Sequence, residues 1–359
     1  MYPFKDGCFA PRNGWYVAAF SSEIGRDLLS RWIVGDPVVL YRTEAGEAVA
    51  LDGRCPHRHF PLGKSCLIGD EIQCAYHGIR FGSDGQCTRV PSQDHVPRSY
   101  RVKKYPLVEH GLWAFIWPGD PELADPALLP DLSTTGFETP GWQFMEMFSL
   151  EVEGRYQLLN DNLLDLTHLA FLHGSSIGVP GNAEAPEERE ELEHVLKSRR
   201  TMRNVPIMAA QQGRFDYDGP VDRLAGMDFW LPGFHAGIDE MSIPAGHARG
   251  GEKLTEQRVF HAVTPGRLDT CNYFFAMGGR MSQEDLAYTK QFLEPVIEED
   301  AMATREIEAM LKNLGYFPDE LMLKSDTGAV QGRRRLQAMM DREGQGRGPA
   351  TSAARAVAG

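Results

Sequence analysis

Between residues 14 and 117, the apolar positions come in short runs separated by turn-forming residues. The runs are WYVAAF, PVVLY, AVAL, EIQC and LWAFIW, with Gly, Asp and Pro clustered between them. Short apolar segments punctuated in this way are typical of β-strands joined by tight turns. The pattern therefore predicts an all-β unit over the first third of the chain.

The next segment, PGDPELADPALLPDL from Pro118, contains four prolines. Because proline lacks an N–H and fixes φ, such a stretch can continue neither a helix nor a central strand. We interpret it as the connection between two domains.

Beyond this connection the spacing of apolar residues becomes helical. The segment YQLLNDNLLDLTHLAFLHG from Tyr156 is rich in helix formers, which predicts a helix that ends near Gly174. Strand-like segments such as QRVFHAVT and TCNYFFAM return further on.

A long amphipathic pattern then runs from Ser282, a candidate N-cap, to Gly315, and Pro295 inside it predicts a kink or a break. The last sixteen residues, GQGRGPATSAARAVAG, have the composition of a disordered tail. The predicted organisation is thus a domain at residues 1–120, a second at 121–343 and a disordered tail at 344–359.

Composition narrows the classes of function. The chain has 359 residues, 42% of them apolar, and a net charge of −13. This length suits two hydrophobic cores, and the negative charge argues against a nucleic-acid partner, which requires a basic face. Short basic runs such as RSYRVKK from Arg98 are interpreted as solvated surface, with docking of an acidic electron-donor protein as the alternative.

The N-terminal segment lacks the apolar core of a secretory signal, and LWAFIW is too short to span a membrane. We therefore expect a cytoplasmic protein. In that reducing compartment the six cysteines are expected to be metal ligands or core residues.

The segment CPHRHFPLGKSCLIGDEIQCAYHG concentrates cysteine and histidine. Its spacing is Cys55-x-His57, then sixteen residues, then Cys74-x-x-His77. Four such ligands could hold a tetrahedral zinc ion. Each loop offers one thiolate and one imidazole, however, which favours a [2Fe–2S] cluster with two cysteines on one iron and two histidines on the other. His59 lies off this spacing and is a candidate for a contact outside the ligand set.

A second candidate site lies in NDNLLDLTHLAFLHG. Asp165 and His168 are three residues apart and share a helix face, whereas His168 and His173 are five apart and can reach one ion only if the helix distorts or ends. Two histidines and a carboxylate form the facial triad that holds non-haem Fe(II). The alternative is two histidines that bind water or backbone.

CPHR together with CAYHG is similar to the cluster motif of the Rieske oxygenases, and NLLDLTHLAFLHGSSIG resembles the iron-binding helix of their aromatic O-demethylase group, the vanillate and dicamba enzymes. The likeness extends over most of the chain, from NGWYVAA to LKSDTGAVQGRRRL. It implies a multidomain α+β fold with an N-terminal all-β Rieske [2Fe–2S] domain. The catalytic domain that follows would have an antiparallel β-sheet flanked by helices, of the helix-grip, START-like type.

The resemblance also implies the ligands of a mononuclear Fe(II). They would be His168, His173 and an acid in the amphipathic segment, where EED points to Asp300. Glu298 and Glu299 are the competing choices.

A head-to-tail homotrimer is implied as well, with the cluster of one subunit facing the iron of its neighbour. Asp165 would bridge a cluster histidine and His168 across that interface, and Asn162 would help to shape the iron site.

The function expected from the resemblance is that of a terminal oxygenase that hydroxylates or O-demethylates a small aromatic substrate with O₂. No G-x-G-x-x-G occurs in the chain, so electrons from NAD(P)H are expected through a separate reductase, with or without a ferredoxin. Ring dihydroxylation, sulfonate demethylation, hydroxylation of a larger substrate, and electron transfer without oxygenase activity are the alternatives.

An aromatic wall for the substrate is predicted from MDFWLPGFHAGID and the two strand-like segments. It comprises Phe229, Trp230, Phe234, His261 and Phe275. His261 is the candidate for a hydrogen bond to the substrate, by analogy with its position in the demethylase group.

Overall fold

The computed structural model describes residues 4, 5 and 8–346, without the side chains of the last two. The N-terminal region consists of short antiparallel strands. They are β1 (Tyr16–Phe20), β2 (Leu29–Ile33), β3 (Asp36–Arg42), β4 (Ala48–Asp52), β5 (Cys66–Ile68), β6 (Glu71–Gln73), β7 (Arg80–Phe81), β8 (Cys87–Arg89), β9 (Leu107–His110) and β10 (Trp113–Ile116). They form sheets of order β1-β10-β9, β2-β3-β4 and β5-β6-β7-β8. The all-β prediction for this region is confirmed.

The proline-rich connection is a series of three 3-10 turns. An aspartate side chain accepts the hydrogen bond that caps each turn. The turns are Pro121–Leu123, Pro126–Leu128 and Leu132–Thr135, capped by Asp120, Asp125 and Asp131. As predicted, neither an α-helix nor a strand runs through this segment.

The C-terminal region is organised around a seven-stranded antiparallel sheet. Its strands are β11 (Gln143–Val152), β12 (Glu187–Glu191), β13 (Val195–Val205), β14 (Val221–Trp230), β15 (Phe234–Ser242), β16 (Lys253–Pro265) and β17 (Cys271–Gly279). They lie in the order β11-β17-β16-β15-β14-β13-β12. The helices are α1 (Tyr156–Leu164), α2 (Gly181–Glu184), α3 (Gln283–Leu314) and α4 (Thr327–Gly346).

The two faces of this sheet have different neighbours. Helices α1, α3 and α4 contact one face, while β1 of the N-terminal region contacts β16 and β17. On the latter face, the indole of Trp113 lies 5.0 Å from the ring of Phe234 and 5.2 Å from that of Phe260, centroid to centroid. This aromatic core joins the N-terminal region to the sheet and leaves the helical face for a site.

The prediction of one helix from Tyr156 to Gly174 is wrong. Helix α1 ends at Leu164 because Asp165 adopts an extended backbone, with φ −122° and ψ 91°. The Asp165 carboxylate then caps a 3-10 turn, Leu166–Ala170. Aspartate competes for backbone N–H groups in this way, which ends helices and starts new turns.

Helix α3 begins and ends as predicted. The Ser282 hydroxyl accepts from the Asp285 N–H, and Gly315 adopts a left-handed conformation with φ 70°. The predicted break at Pro295 is not observed, since the helix continues through it. Burial of Leu293, Val296 and other residues around this proline offsets the one backbone hydrogen bond that it removes.

Helix α4 continues to Gly346, so the first three residues of the predicted tail are helical. Residues 347–359 lie outside the described part of the chain. Among the described helices, none has both the length and the apolar composition required to cross a bilayer.

Candidate metal centres

Two loops of the N-terminal region, residues 55–60 and 74–79, share one backbone design. In each, the cysteine N–H donates to the carbonyl five residues on, at 2.9 and 2.8 Å, and its own carbonyl accepts from the N–H four residues on, at 2.9 Å in both. The fourth residue on is His59 in one loop and Gly78 in the other, with left-handed φ values of 58° and 70°. The two loops therefore share a backbone design around the cysteine, with the histidine two residues after it in one loop and three residues after it in the other.

The side chains of these loops form a mixed sulfur and nitrogen group. Cys55 and Cys74 are buried, each 1% exposed, whereas His57 and His77 reach the surface with ring centroids 4.5 Å apart. Burial, together with the neighbouring Cys74 thiol, raises the pKa of the Cys55 thiol to about 11. Two thiols inside and two imidazoles outside fit a [2Fe–2S] cluster with one thiol and one imidazole from each loop.

The second group lies on the helical side of the large sheet. Ligand atoms of His168, His173 and Asp300 all lie within 4.8 Å of one another. The Asp300 Oδ1 atom is 3.1 Å from His173 Nε2 and 3.6 Å from His168 Nε2. His168 comes from the 3-10 turn after α1, His173 from the next turn and Asp300 from the middle of α3. The end of α1 before both histidines lets them converge.

The pKa shifts of Asp300 and His168 fit a cation at this group. Burial alone would raise the pKa of Asp300, but the hydrogen bond from His173 and the nearby imidazoles outweigh it and lower that pKa. Burial lowers the pKa of His168, which favours the neutral, ligating imidazole. Two imidazoles around a carboxylate that is 4% exposed are the donor set of a non-haem Fe(II) site with open positions.

Each of these three side chains is held by a further partner. The Glu299 carboxylate lies 2.6 Å from His173 Nδ1. The backbone carbonyl of Asp165 lies 2.6 Å from His168 Nδ1. Contacts of this kind fix the ring tautomer and orientation in metal sites.

Asn162 holds the carboxylate of the group, because its Nδ2 donates to Asp300 Oδ1 at 3.1 Å. Its role in shaping the iron site stays a prediction. The contact predicted between the Asp165 carboxylate and His168 is not made within the chain, since that carboxylate accepts from the Thr167 N–H at 2.9 Å. Aspartate satisfies the nearest backbone donor first, and its main-chain carbonyl reaches the histidine instead.

A cavity of about 340 Å³ opens beside the three residues, between the sheet and α3. The residues of β16 that line it include Thr255, Gln257, Val259 and His261. The apolar part of the wall includes Leu163, Met227, Phe275, Met277, Phe292 and Val296. A concave, mainly apolar space with a few polar groups suits a small organic molecule.

Comparison with known proteins now decides the family. Residues 14–106 match the Rieske [2Fe-2S] domain, and residues 152–342 match the vanillate O-demethylase oxygenase C-terminal domain. The chain belongs to the Rieske oxygenases.

The relatives of the oxygenase resemble it over nearly its whole length. The iron-sulfur subunit of the toluene-4-sulfonate monooxygenase system of Comamonas testosteroni is 33% identical, over 94% of this chain and 99% of the relative. A vanillate O-demethylase oxygenase subunit of a Pseudomonas species is 31% identical, over 93% and 96%. A crystal structure of dicamba monooxygenase with non-heme iron and dicamba superimposes with a TM-score of 0.77 at 27% identity, covering 94% of this chain and 99% of that one.

Only part of the predicted aromatic wall of the oxygenase lies along the cavity. His261 and Phe275 line it, whereas Phe229, Trp230 and Phe234 do not. Neighbouring residues of a strand point to opposite faces, and Phe234 pairs with Ala262 while His261 pairs with Phe275. Trp230 and Phe234 thus belong to the aromatic core against the N-terminal region.

His261 is uncharged near neutral pH. Its Nδ1 lies 2.6 Å from the Tyr273 hydroxyl, and burial lowers its pKa to about 4. When that hydroxyl donates, the remaining proton of the imidazole is on Nε2.

Sequence reasoning did not identify the orienting role of Glu299. It weighed Glu298 and Glu299 only as ligands, yet Glu298 is exposed and pairs with Arg305 at 2.9 Å. Gln257 was also missed, although the alternation of Thr255, Gln257, Val259 and His261 along one strand would have placed it on the face of His261.

Proposed function

We propose that the chain is the terminal oxygenase component of a monooxygenase that hydroxylates or O-demethylates a small (methoxy)aromatic substrate. The observation that carries this proposal is the group of two histidines and a buried carboxylate that lines a mainly apolar cavity of about 340 Å³. The relatives are named for vanillate, dicamba and toluene-4-sulfonate. These names support a substituted benzene ring as the substrate.

In this proposal Cys55, His57, Cys74 and His77 hold the [2Fe–2S] cluster. His168, His173 and Asp300 hold the mononuclear Fe(II). When bound, the cluster passes on single electrons and the ferrous ion activates O₂. The support is the donor chemistry of each group and the burial of Asp300, which is 4% exposed and calls for a compensating cation.

The protein positions these ligands and shapes the space beside them. Glu299 and the Asp165 carbonyl orient the two imidazoles, and Asn162 fixes the carboxylate. The apolar wall excludes water from the reacting methyl group. His261, with the Tyr273 hydroxyl on its Nδ1, offers its Nε2–H to a polar group of the substrate.

For a methoxy substrate, one atom of O₂ is inserted into a methyl C–H bond. The other atom leaves as water with two electrons from NAD(P)H and two protons. The resulting hemiacetal breaks into a phenol and formaldehyde. The electrons come from a separate reductase, with or without a ferredoxin.

Domain limits of 1–120 and 121–343, a cytoplasmic location and a homotrimer belong to the same proposal. Exposed aromatic side chains near both sites support an intersubunit contact, with Tyr76 58% and Phe171 80% exposed. In the trimer the Asp165 carboxylate would bridge His168 and a cluster histidine of the neighbouring subunit. Light scattering on the purified protein tests the trimer.

The test of the reaction is a panel of methoxybenzoates, methoxyphenols and methoxybenzamides with a surrogate reductase and NADH. We expect formaldehyde release that requires O₂ and is lost in Asp300→Asn. The proposal is contradicted if no member yields formaldehyde or a hydroxylated product, or if the variant is as active as the wild type.

The similarity to the toluene-4-sulfonate enzyme favours a second candidate, hydroxylation of an aryl methyl group. A benzylic alcohol formed from methylbenzenes, without formaldehyde from methoxybenzenes, would select it. Ring dihydroxylation would give a diol instead.

A further inference from the structure

We infer that Gln211 and Gln257 form a subsite that binds an uncharged hydrogen-bonding group of the substrate, such as a carboxamide or a hydroxyl, at the end of the cavity away from the metal group. The inference rests on the proposed function, because it assigns the polar end of the molecule whose other end is oxidised.

The position of Gln257 places it away from the metal group. It lies on β16 four residues before His261 and on the same face, so their Cα atoms are about 13 Å apart along the strand. His261, at the other end of this face, lines the same cavity as Asp300, whose carboxylate partly opposes the lowering of the His261 pKa by burial. A molecule that reaches from the metal group toward Gln257 is therefore elongated, with substituents on opposite sides of its ring.

The two amides have unmet hydrogen-bonding capacity. Gln257 is 7% exposed, and among the described residues its Nε2 donates only to the Met281 sulfur, at 3.6 Å. Gln211 Nε2 lies 3.4 Å from Gln257 Oε1, longer than an ordinary amide hydrogen bond. Gln211 Oε1 is buried and has no hydrogen-bond partner within the described part of the chain. Buried amides are rarely left in this state, and both glutamines line the cavity.

The charges of the cavity wall decide the character of the ligand group. Each guanidinium that lines the described cavity is paired with a carboxylate that also lines it. The pairs are Arg214–Asp285 at 2.9 Å, Arg223–Asp239 at 2.6 Å and Arg280–Glu256 at 2.7 Å. An anionic substituent would therefore lose its hydration without gaining a free cation.

A carboxamide or hydroxyl has both a donor and an acceptor and satisfies the two glutamines together. Each glutamine can rotate its amide by half a turn, so the pair can present nitrogen or oxygen as the ligand requires. A carboxylate could use the amide N–H groups but would leave the Gln211 oxygen unpaired. The subsite thus selects neutral over anionic substrates.

Isothermal titration calorimetry on the holoenzyme, without an electron donor, tests this selection. The probes are 4-methoxybenzamide, 4-methoxybenzoate and 4-methoxytoluene. We expect the benzamide to bind about 10-fold more tightly than either of the others, the loss typical of a buried polar group left unpaired.

Gln257→Leu and Gln211→Leu should each abolish that preference and leave 4-methoxytoluene bound at least as well. Gln212→Leu is the matched control, since Gln212 is exposed and outside the cavity wall. Gln211 lies in a short 3-10 turn, Ala209–Gln211, outside the sheet. Its variant therefore keeps the test valid if Gln257→Leu, in strand β16, fails to fold.

The inference is overturned if the benzoate binds as tightly as the benzamide, if both glutamine variants retain the preference, or if no probe binds. Because binding is measured without turnover, the two proposals fail separately. Glutamine-dependent binding of the benzamide without oxidised product would refute the proposed reaction alone. Formaldehyde from the benzoate, with no preference for the benzamide, would refute the subsite alone.

Discussion

Replacing Glu299 with glutamine should weaken iron binding at the mononuclear site without touching a ligand. Glu299 Oε2 lies 2.6 Å from His173 Nδ1, and His173 is fully buried. A carboxylate in this position makes the imidazole more basic and fixes the tautomer that leaves Nε2 free for a metal. Glutamine keeps the shape but removes the negative charge.

The structure sets the size of the effect. Loss of a partner that orients a metal-bound histidine weakens metal affinity by about 10- to 100-fold. The Glu299 side chain is 33% exposed, so water screens part of its charge and the smaller figure applies. We therefore expect a loss of about 10-fold in Fe(II) affinity, which corresponds to about 1.4 kcal/mol.

The assay is anaerobic titration of Fe(II) into protein that retains its cluster, in competition with a chelator. Glu298→Gln is the control, because Glu298 is the preceding residue, is exposed and pairs only with Arg305 among the hydrogen bonds of the described residues. The reasoning is refuted if both variants bind iron as the wild type does, or if Glu298→Gln is the weaker one.

Two further substitutions probe the supports of the site. Glu308→Gln breaks a buried ion pair with Arg155, whose Nη2 lies 2.6 Å from Glu308 Oε1. The substitution should destabilise the protein by about 3 kcal/mol. The expected result is a lower Tm than that of the control Glu306→Gln, which changes an exposed residue. Burial alone would raise the pKa of Glu308, but the hydrogen bond and charge of Arg155 outweigh burial, so the pKa of Glu308 in the folded protein is lowered. This stabilisation is therefore complete above the pKa of the unfolded chain, about 4.3, and is lost as the pH falls through the lower folded value, so the Tm difference should vanish in acid. Gly178→Ala would bring a Cβ within 1.8 Å of the Leu169 carbonyl oxygen, in the loop that holds His173. The iron content of this variant should fall by the mononuclear iron, with the cluster retained. The control Gly246→Ala has open space around the new Cβ and should keep its full iron content.

The metal groups were predictable from the sequence because their residues are local. Cys55-x-His57 and Cys74-x-x-His77 specify two similar loops, and the structure brings their side chains together. His168 and His173 were found as a pair for the same reason. Asp300 lies more than a hundred residues away, and only the family resemblance pointed to it.

The parts that sequence reasoning missed depend on tertiary context. The end of α1 at Asp165 follows from one side chain that caps a new turn, and helix propensity does not resolve such a choice. Trp230 and Phe234 were assigned to the pocket because aromatic residues suit both a pocket and a core. Only the register of β15 and β16 shows which face each residue occupies.

The most direct test of the two-centre account is the iron content of the purified protein together with the electron paramagnetic resonance of its reduced cluster. The account predicts about three iron atoms per chain in the wild type, two of them in the cluster, and about two in His168→Ala with an unchanged cluster signal. A wild type with only two iron atoms, or a His168→Ala variant that keeps all three, would contradict it.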